Sequence, residues 1–372
     1  MTQPKILVTA AAGHTGSAAV LQLLEMGFPV RAFVRRIDAR SAVLEKAGAE
    51  IFIGDMFDYR DLRASMVGVQ RAYHCPPFAA NLLHNTMAFA VAAEEAKLEV
   101  VALMSQWNPH PSHPSVISRE HWITNQIYRW MPSVDVIHIN PGLFAFVFML
   151  GLPAIAHFGM FMGPFGEGLI APPSNEDIAR VATAVLADPT PHIGKSYRPT
   201  GPKLISPNDM AGTMGKVLGR KVAYKDVPFK AFSKAAIALG YSLSEIAHLR
   251  YYAEELKKGA FAVGGPTDHV LEVTGRAPED FETIVRRYAN DPSHIHPQLK
   301  TGSKLGAIAF LFKMMATKAP NLDVWERERD YPLINNPVLS QDSAEWLATA
   351  ERQQLNLLPD QRSAAPTLAI VS

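Results

Sequence analysis

Short apolar runs alternate with longer amphipathic stretches along the first 142 residues. The apolar runs are rich in β-branched residues and predict buried strands at 5–9, 29–34, 50–53, 70–75, 99–104 and 135–140. The stretches between them predict helices at 14–26, 60–67, 81–96 and 118–131. Because strands that alternate with helices form parallel sheets, we expect an α/β fold with a doubly wound parallel sheet.

After residue 150 the alternation ends and helical patterns dominate. Helices are predicted at 175–186, 206–218, 229–259 and 277–289, with one further strand at 196–201. We therefore expect a first domain over 1–150 and a smaller, mainly helical lobe over 151–358, from which a strand or two rejoins the first sheet. The polar, proline-containing stretch 359–372 is expected to be a flexible tail.

Composition narrows the class of protein. The chain has 372 residues, of which 48% are hydrophobic and 19% charged, as in ordinary globular proteins. A formal charge of +1 offers no overall field for nucleic acid or anionic membranes. A single cysteine, Cys75, and the lack of a secretory leader favour a cytoplasmic protein. The expected partner is therefore a small molecule, with no nucleic acid or membrane, and a homodimer is left open.

The segment VTAAAGHTG (8–16) joins the first strand to the first helix. Small residues let such a turn bring its backbone N–H groups against a pyrophosphate, and the helix dipole favours the anion. We expect a dinucleotide to contact Ala11, Gly13, His14, Thr15 and Gly16 in a Rossmann-type domain. Two glycines three residues apart also occur in purely structural turns, which is the alternative.

Two further features follow the second and third strands. Arg35 and Arg36 stand where an acidic residue would bind the 2′-hydroxyl of NAD, and arginine accepts the 2′-phosphate of NADP. NADP(H) is therefore the expected cofactor, with NAD as the alternative. The arginines could instead form a solvated basic edge. Asp55 and Met56 are expected beside the adenine, although Asp55 would also serve as a turn residue.

These segments resemble the NmrA-like branch of the atypical short-chain dehydrogenases/reductases. The resemblance rests on TAAAGHTG, VRAFVRR, GAEIFIGDMFD, LMSQ and INPG and on residues 191–220 and 273–288, and it covers about residues 4–290. It implies a cofactor site that includes Pro76, Ser105, Pro141 and Gly142, which follow the fourth, fifth and sixth strands. Residues 291–372 match nothing in this family.

The chain departs from the family pattern at two places. Ala10 replaces the usual first glycine of the turn, which is compatible with binding if its backbone angles are ordinary. The Tyr-x-x-x-Lys pair of typical reductases is absent, and Trp122 stands at the lysine position with His121 beside it. Some NmrA-like proteins bind the dinucleotide as redox sensors without turnover, so a sensor is one alternative function.

Hydride transfer to a carbonyl requires a nearby proton donor. Ser105 and His121 are the candidate catalytic residues, since Ser105 follows the fifth strand and a histidine titrates near neutrality. His121 could equally be a packed core histidine. The loop 107–114 contains His110 and His113 but no carboxylate or cysteine at ligand spacing, so we expect a lid and no metal.

Aromatic residues and methionines are dense after the sixth strand, where ligands of such sheets bind. The expected substrate-pocket residues are Gln106, Trp107, Phe144, Phe148 and Tyr252. Their character predicts an apolar, aromatic or polycyclic ligand. The sequence thus favours an NADP(H)-dependent oxidoreductase of a carbonyl, quinone, imine or activated alkene. The alternatives are the sensor and an isomerase that retains its cofactor.

Overall fold

A seven-stranded parallel sheet lies at the centre of the amino-terminal domain. The computed structural model describes residues 3–290, 301–328 and 336–352. The order across the sheet is β3-β2-β1-β4-β5-β6-β8, with every neighbouring pair parallel. Its strands are β1 (Ile6–Val8), β2 (Val30–Val34), β3 (Glu50–Ile53), β4 (Arg71–His74), β5 (Val100–Met104), β6 (Asp135–Ile139) and β8 (Ser196–Tyr197). The predicted doubly wound sheet is confirmed.

Helices cover both faces of this sheet. The helices of the first domain are α1 (His14–Glu25), α2 (Ala39–Lys46), α3 (Tyr59–Ser65), α4 (Leu82–Ala96) and α5 (Val116–Arg129). Alternate residues of β5 and β6 enter two separate cores, one shared with α1 and α7 (Asn175–Ala187) and the other with α3, α4 and α5. Because both faces of each central strand are buried, these strands are continuous apolar runs, which made them predictable.

The second lobe is mainly helical, as expected. Two 3-10 turns lie at Ala145–Met149 and Thr190–His192. The helices of the lobe are α6 (Leu152–Phe158), α8 (Pro207–Leu218), α9 (Phe229–Leu239), α10 (Leu243–Lys257), α11 (His269–Thr274), α12 (Phe281–Asn290), α13 (Lys304–Ala316), α14 (Leu322–Glu328) and α15 (Ala344–Arg352). A small parallel pair, β7 (Met160–Gly163) and β9 (Ala223–Asp226), completes the lobe. The predicted tail, 359–372, lies outside the described residues.

The chain returns to the first domain within this second half. Helix α7 packs against α1, and β8 pairs with β6. The strand predicted at 196–201 is therefore present but shorter. The domain boundary at residue 150 stays a prediction. In the described part of the chain, no helix is long and apolar enough to cross a bilayer.

Three local differences from the sequence-based prediction have physical causes. The helix predicted over 229–259 is two helices, because Gly240 ends α9 with φ +93° and Ser242 caps α10 in a capping box with Glu245. Helix α2, capped by Asp38, was not predicted, since it is short and buries only Ser41 and Leu44. The segment 145–158 was assigned no helix because its apolar residues lack a clear helical period.

One consequence of the buried sheet is a pH-dependent stability. His138 on β6 is 3% exposed, and burial lowers the pKa of its ring from 6.5 to about 4. Between these two values the unfolded chain binds the extra proton, so the free energy of unfolding should fall as the pH falls. This residue alone contributes at most about 1.4 kcal/mol per pH unit in that window.

We predict that the free energy of unfolding of His138→Leu falls less steeply than that of the wild type between about pH 7 and about pH 5. The two slopes should differ by the contribution of at most one proton. Urea unfolding monitored by circular dichroism measures the slope. His84→Leu, at an exposed histidine, is the matched control and should keep the wild-type slope. An unchanged slope in His138→Leu would show that the ring is protonated to the same extent in both states.

Candidate functional site

The turn between β1 and α1 forms a cradle of backbone N–H groups. The Gly13 N–H donates to the Ala10 carbonyl at 2.8 Å, and the Ala11 N–H donates to the Phe33 carbonyl at 3.1 Å. Gly13 is the N-cap of α1, and no side chain caps the helix. The first N–H groups of α1 therefore remain available to an anion, which the helix dipole also favours.

The two glycines of the turn are required by close contacts. A Cβ at Gly16 would lie 2.3 Å from the Ala10 carbonyl oxygen, and one at Gly13 would lie 2.9 Å from the same atom. Neither distance can hold a carbon atom, so any side chain would push α1 away from β1. The residues present thus fit a bound pyrophosphate.

Ala10 does not have the ordinary backbone angles assumed from the sequence. Its φ is +47°, in the left-handed region, because only that turn directs its carbonyl at the Gly13 N–H. An L-residue with a Cβ pays roughly 1–2 kcal/mol for this conformation. Alanine at this position is therefore strained, although the turn itself is formed.

A cleft opens between this turn and the carboxyl ends of β2 and β3. Five predicted cofactor residues line it together: Gly13, Arg35, Arg36, Asp55 and Met56. Both arginines are exposed, and the Asp55 carboxylate accepts the Phe57 N–H at 2.9 Å in a turn. Pro77 rather than the predicted Pro76 lines the cleft, since Pro76 is buried.

A third arginine of the cleft, Arg40, was missed by the sequence analysis. It lies in the first turn of α2 and donates to the Ala12 carbonyl at 3.4 Å and to Asp38 at 2.6 Å. The hydrogen bond from Arg40 holds the pKa of Asp38 well below its usual range, and the carboxylate also caps α2. The Asp38 carboxylate is therefore occupied by Arg40 and by the N-terminus of α2, and Arg40 neutralises its charge. Arg40 was missed because helix α2, which positions it, was not predicted from the sequence.

The rest of the turn packs beneath or beside the cleft. Ala11 is fully buried, and the Tyr73 hydroxyl donates to Thr15 at 3.3 Å. The His14 ring stacks on Phe146 with 4.0 Å between centroids. Phe146 follows β6, so this stack joins the start of α1 to the strand edge where the nicotinamide half of a dinucleotide would lie.

Several unpartnered polar groups lie at that edge. Ser105 and Asn140 directly follow β5 and β6, which pair in register. Within the described part of the chain, the Ser105 hydroxyl, the Asn140 carbonyl oxygen and the Nδ1 atom of His121 are buried without a hydrogen-bond partner. Leaving such groups unsatisfied costs about 1–3 kcal/mol each. A bound polar ligand would remove that cost.

Alternation along the strands places these groups on one face of the sheet. Leu103 of β5 and Val136 of β6 belong to the core shared with α4 and α5, so the side chains two and four residues later point to the same layer. His74 at the end of β4 also packs there, stacked on Phe89 at 3.8 Å. His121 of α5 thus faces the polar ends of three adjacent strands.

His121 does not titrate near neutrality, contrary to the sequence-based expectation. Burial lowers its pKa to about 4, and burial together with the nearby His121 lowers the pKa of His74 to about 3. A neutral imidazole still carries one N–H donor and one acceptor nitrogen. It can therefore donate a hydrogen bond or relay a proton, but it is not an imidazolium at pH 7.

The predicted substrate-pocket residues have separate positions. Tyr252 donates to Gln106, and the Trp107 Nε1–H donates to the Ala260 carbonyl at 3.0 Å, so these three residues join the loop after β5 to α10 and the segment after it. Phe144 packs against the core near α1. Phe148 alone lines the large apolar pocket of the second lobe, which several aromatic side chains surround: Phe161, Phe165, Phe232, Tyr241 and Phe310.

The loop predicted as a lid is buried. The Glu255 carboxylate of α10 accepts from Asn108, from His113 at 3.0 Å and from the Ser340 N–H at 3.1 Å. His113 and Glu255 are both completely buried. The loop is thus bound to α10 and to the segment beyond residue 336. Among the described residues, no three His, Cys, Asp or Glu side chains are grouped to hold a metal ion.

Known proteins resemble this chain over most of its length. Residues 2–125 match the model of the NmrA-like family, which confirms the resemblance seen in the motifs. An NAD(P)H azoreductase of Xenophilus azovorans is 28% identical over 287 residues, which are 76% of this chain and 98% of the relative.

Solved structures confirm the fold. The NADPH complex of an Escherichia coli quinone oxidoreductase has a TM-score of 0.64 at 21% identity, covering 75% of this chain and 98% of that one. The negative transcriptional regulator NmrA in complex with NADP has a TM-score of 0.63 at 15% identity, covering 77% and 95%. An enzyme and a regulator thus share this architecture.

We predict that Gly16→Ala weakens NADP binding at least tenfold, because α1 must move away from the Ala10 carbonyl and take its N–H groups with it. Overpacking of this kind costs about 1–3 kcal/mol. Isothermal calorimetry measures the affinity, and circular dichroism confirms folding. Gly212→Ala is the matched control, since a Cβ there would meet no heavy atom within 4 Å. Wild-type affinity in the Gly16 variant would contradict the cradle.

Proposed function

We propose that this protein is an NADP(H)-dependent oxidoreductase that reduces a small apolar molecule: a carbonyl, quinone, imine or activated alkene. The observation that carries the proposal is the arginine-lined cleft that opens from the uncapped start of α1. A phosphate cradle and cationic side chains at the end of β2 are the two features that NADP requires of this fold.

The choice of NADP over NAD rests on charge. Arg35 stands directly after β2, and it makes no ion pair within the described residues. Arg36 lies 3.7 Å from Asp38, but Arg40 already neutralises that carboxylate. Guanidinium groups form short, charge-assisted bonds to phosphate oxygens. The azoreductase and quinone oxidoreductase names, which specify NAD(P)H and NADPH, support the same cofactor.

The chemistry divides between cofactor and protein. When bound, NADPH supplies a hydride, and a reduced oxygen or nitrogen then needs a proton. Ser105 and His121 lie at the carboxyl edge of the sheet with unpartnered polar atoms, so they are the groups we assign to bind the acceptor and deliver that proton. A neutral His121 would act through its N–H and draw a replacement proton from solvent.

The apolar character of the substrate is inferred from the surroundings. The chain after β6 is aromatic, and the main pocket of the second lobe is almost entirely apolar. Quinone and azo compounds, on which the named relatives act, have this character. A homodimer stays a prediction, as does the exact substrate class.

A sensor function is the second candidate, since NmrA itself binds NADP and is named a transcriptional regulator. The absent Tyr-x-x-x-Lys pair favours it. The unpartnered polar groups beside the nicotinamide edge favour the enzyme. Turnover of NADPH with a panel of apolar quinones, azo dyes and carbonyls separates the two.

We predict that Arg35→Ala combined with Arg36→Ala weakens NADP much more than NAD, by about 1–3 kcal/mol per lost charged hydrogen bond. Calorimetry with both nucleotides measures the difference. Arg60→Ala, at an exposed arginine on α3, is the matched control and should change neither affinity. Equal losses for NADP and NAD would place the 2′-phosphate elsewhere.

We predict that Ser105→Ala and His121→Asn lower kcat with any active substrate by about 10²-fold or more, because each removes a group that contacts the reacting atoms. The Kd for NADPH should stay within about twofold, since neither residue is assigned to the phosphates.

Ser65→Ala and Ser233→Ala are the controls, because both residues are buried hydroxyl groups on other helices, α3 and α9. They should leave kcat unchanged. Full activity in both Ser105→Ala and His121→Asn would remove their assignment. Tight NADPH binding with no turnover across the panel would favour the sensor.

A further inference from the structure

Helix α13 has an apolar outer face that no other described residue covers. Leu305, Phe312 and Met315 are 78%, 64% and 59% exposed. At 3.6 residues per turn these three side chains lie within roughly 80° of one another on the helix. Other exposed apolar side chains of the described chain are spread over many elements, so this stripe is the densest on a single helix.

The inner face of the same helix is apolar as well. Ala307 is buried, and Phe310, Leu311 and Met314 line the large apolar pocket of the second lobe. A helix that is apolar on all sides normally lies buried in a core or in lipid. Helix α13 therefore lies between an apolar pocket and an exposed apolar face. Removing that face from water would be favourable.

The charges around the stripe all have one sign. Helices α9 and α13 pack together and contain Lys230, Lys234, Lys304 and Lys313 but no carboxylate. Around the helix, Lys304 lies roughly 20° beyond Met315 and Lys313 roughly 80° beyond Leu305, on opposite sides of the stripe. No described carboxylate pairs with Lys304 or with Lys318, the next lysine beyond the helix. The overall charge of +1 conceals this local excess.

We propose that the outer face of α13 docks on an anionic lipid bilayer, with Leu305, Phe312 and Met315 in the interface and Lys304 and Lys318 on the headgroups; the Lys313 ammonium instead donates to the Ala238 carbonyl of α9. Interfacial helices combine an apolar face with lysines whose stems reach the headgroup level. Each lysine near an anionic surface strengthens the attraction, and the gain fades within a Debye length. A second copy of this chain is disfavoured as the occupant, because a twofold contact would set the lysines of α13 against each other.

This docking places helix α13, whose inner face lines the apolar pocket, against lipid. Where the proposed oxidoreductase function holds, the pocket would take its ligand from the bilayer, so the ligand class narrows to lipid-soluble molecules. The docking itself does not depend on that function.

Flotation with lipid vesicles tests the docking. The full-length protein should float with vesicles of equal parts phosphatidylcholine and phosphatidylglycerol, and much less with phosphatidylcholine alone. The triple variant Leu305→Ser, Phe312→Ser, Met315→Ser should bind anionic vesicles at least tenfold more weakly, because each substitution removes apolar surface that the interface would bury. The double variant Lys304→Glu, Lys318→Glu should lose binding most at low salt.

Two matched controls accompany these variants. Val67→Ser, Ile193→Ser, Leu271→Ser removes three exposed apolar side chains from other elements. Lys46→Glu, Lys97→Glu makes the same charge change on the first domain. Both should float like the wild type. Equal flotation of the triple variant and the wild type would overturn the proposal.

An environment-sensitive dye on Phe312→Cys, in a Cys75→Ser background, identifies the occupant. Its emission should shift to the blue only when anionic vesicles are added. A blue-shifted emission without vesicles would overturn the proposal, and light scattering would then tell a second copy from coverage by the chain itself. Calorimetry with NADPH on the same variants reports separately on the proposed function, which this result leaves intact.

Discussion

The close approach between the Ala10 carbonyl and the first turn of α1 is the constraint on which the site depends. Both glycines of the turn are required by that one oxygen atom. The same contact directs the uncapped N–H groups of α1 towards the cleft. It also forces Ala10 into a left-handed conformation that costs roughly 1–2 kcal/mol. The strain and the binding surface therefore have a common origin.

Further along the same carboxyl edge of the sheet, the cost is that of burying polar atoms without hydrogen-bond partners. Ser105, Asn140 and His121 keep polar atoms buried without partners in the described chain, and His74 and His121 are held neutral by burial. A core with no ligand to bind would replace these groups with apolar ones. Their concentration after β4, β5 and β6 agrees with the rule that ligands bind at the carboxyl edge of parallel sheets.

The fold was largely predictable because its signals are local. Buried parallel strands are apolar runs, and the helices predicted at 175–186 and 206–218 are present as α7 and α8. Arg35, Arg36, Asp55 and Met56 were predictable because strand ends fix their place. Arg40, the φ of Ala10 and the neutral state of His121 were not. Arg40 lies on a helix too short to give a clear pattern, the turn at Ala10 was assumed to have ordinary angles, and the burial of His121 depends on contacts between segments distant in sequence.

The carboxy-terminal segments beyond the resemblance are joined to the site by the buried carboxyl group of Glu255. Glu255 accepts hydrogen bonds from His113 of the loop after β5 and from the N–H of Ser340, and the Val338 N–H donates to the Ser112 carbonyl at 3.0 Å. Removing one partner of a buried hydrogen bond leaves the other group unsatisfied. Residues 336–343 therefore help to hold the loop that carries Trp107, although they lie more than 220 positions away in sequence. Residues 336–343 support this loop and α13 lines the apolar pocket, so the extension packs into the second lobe rather than standing apart from it.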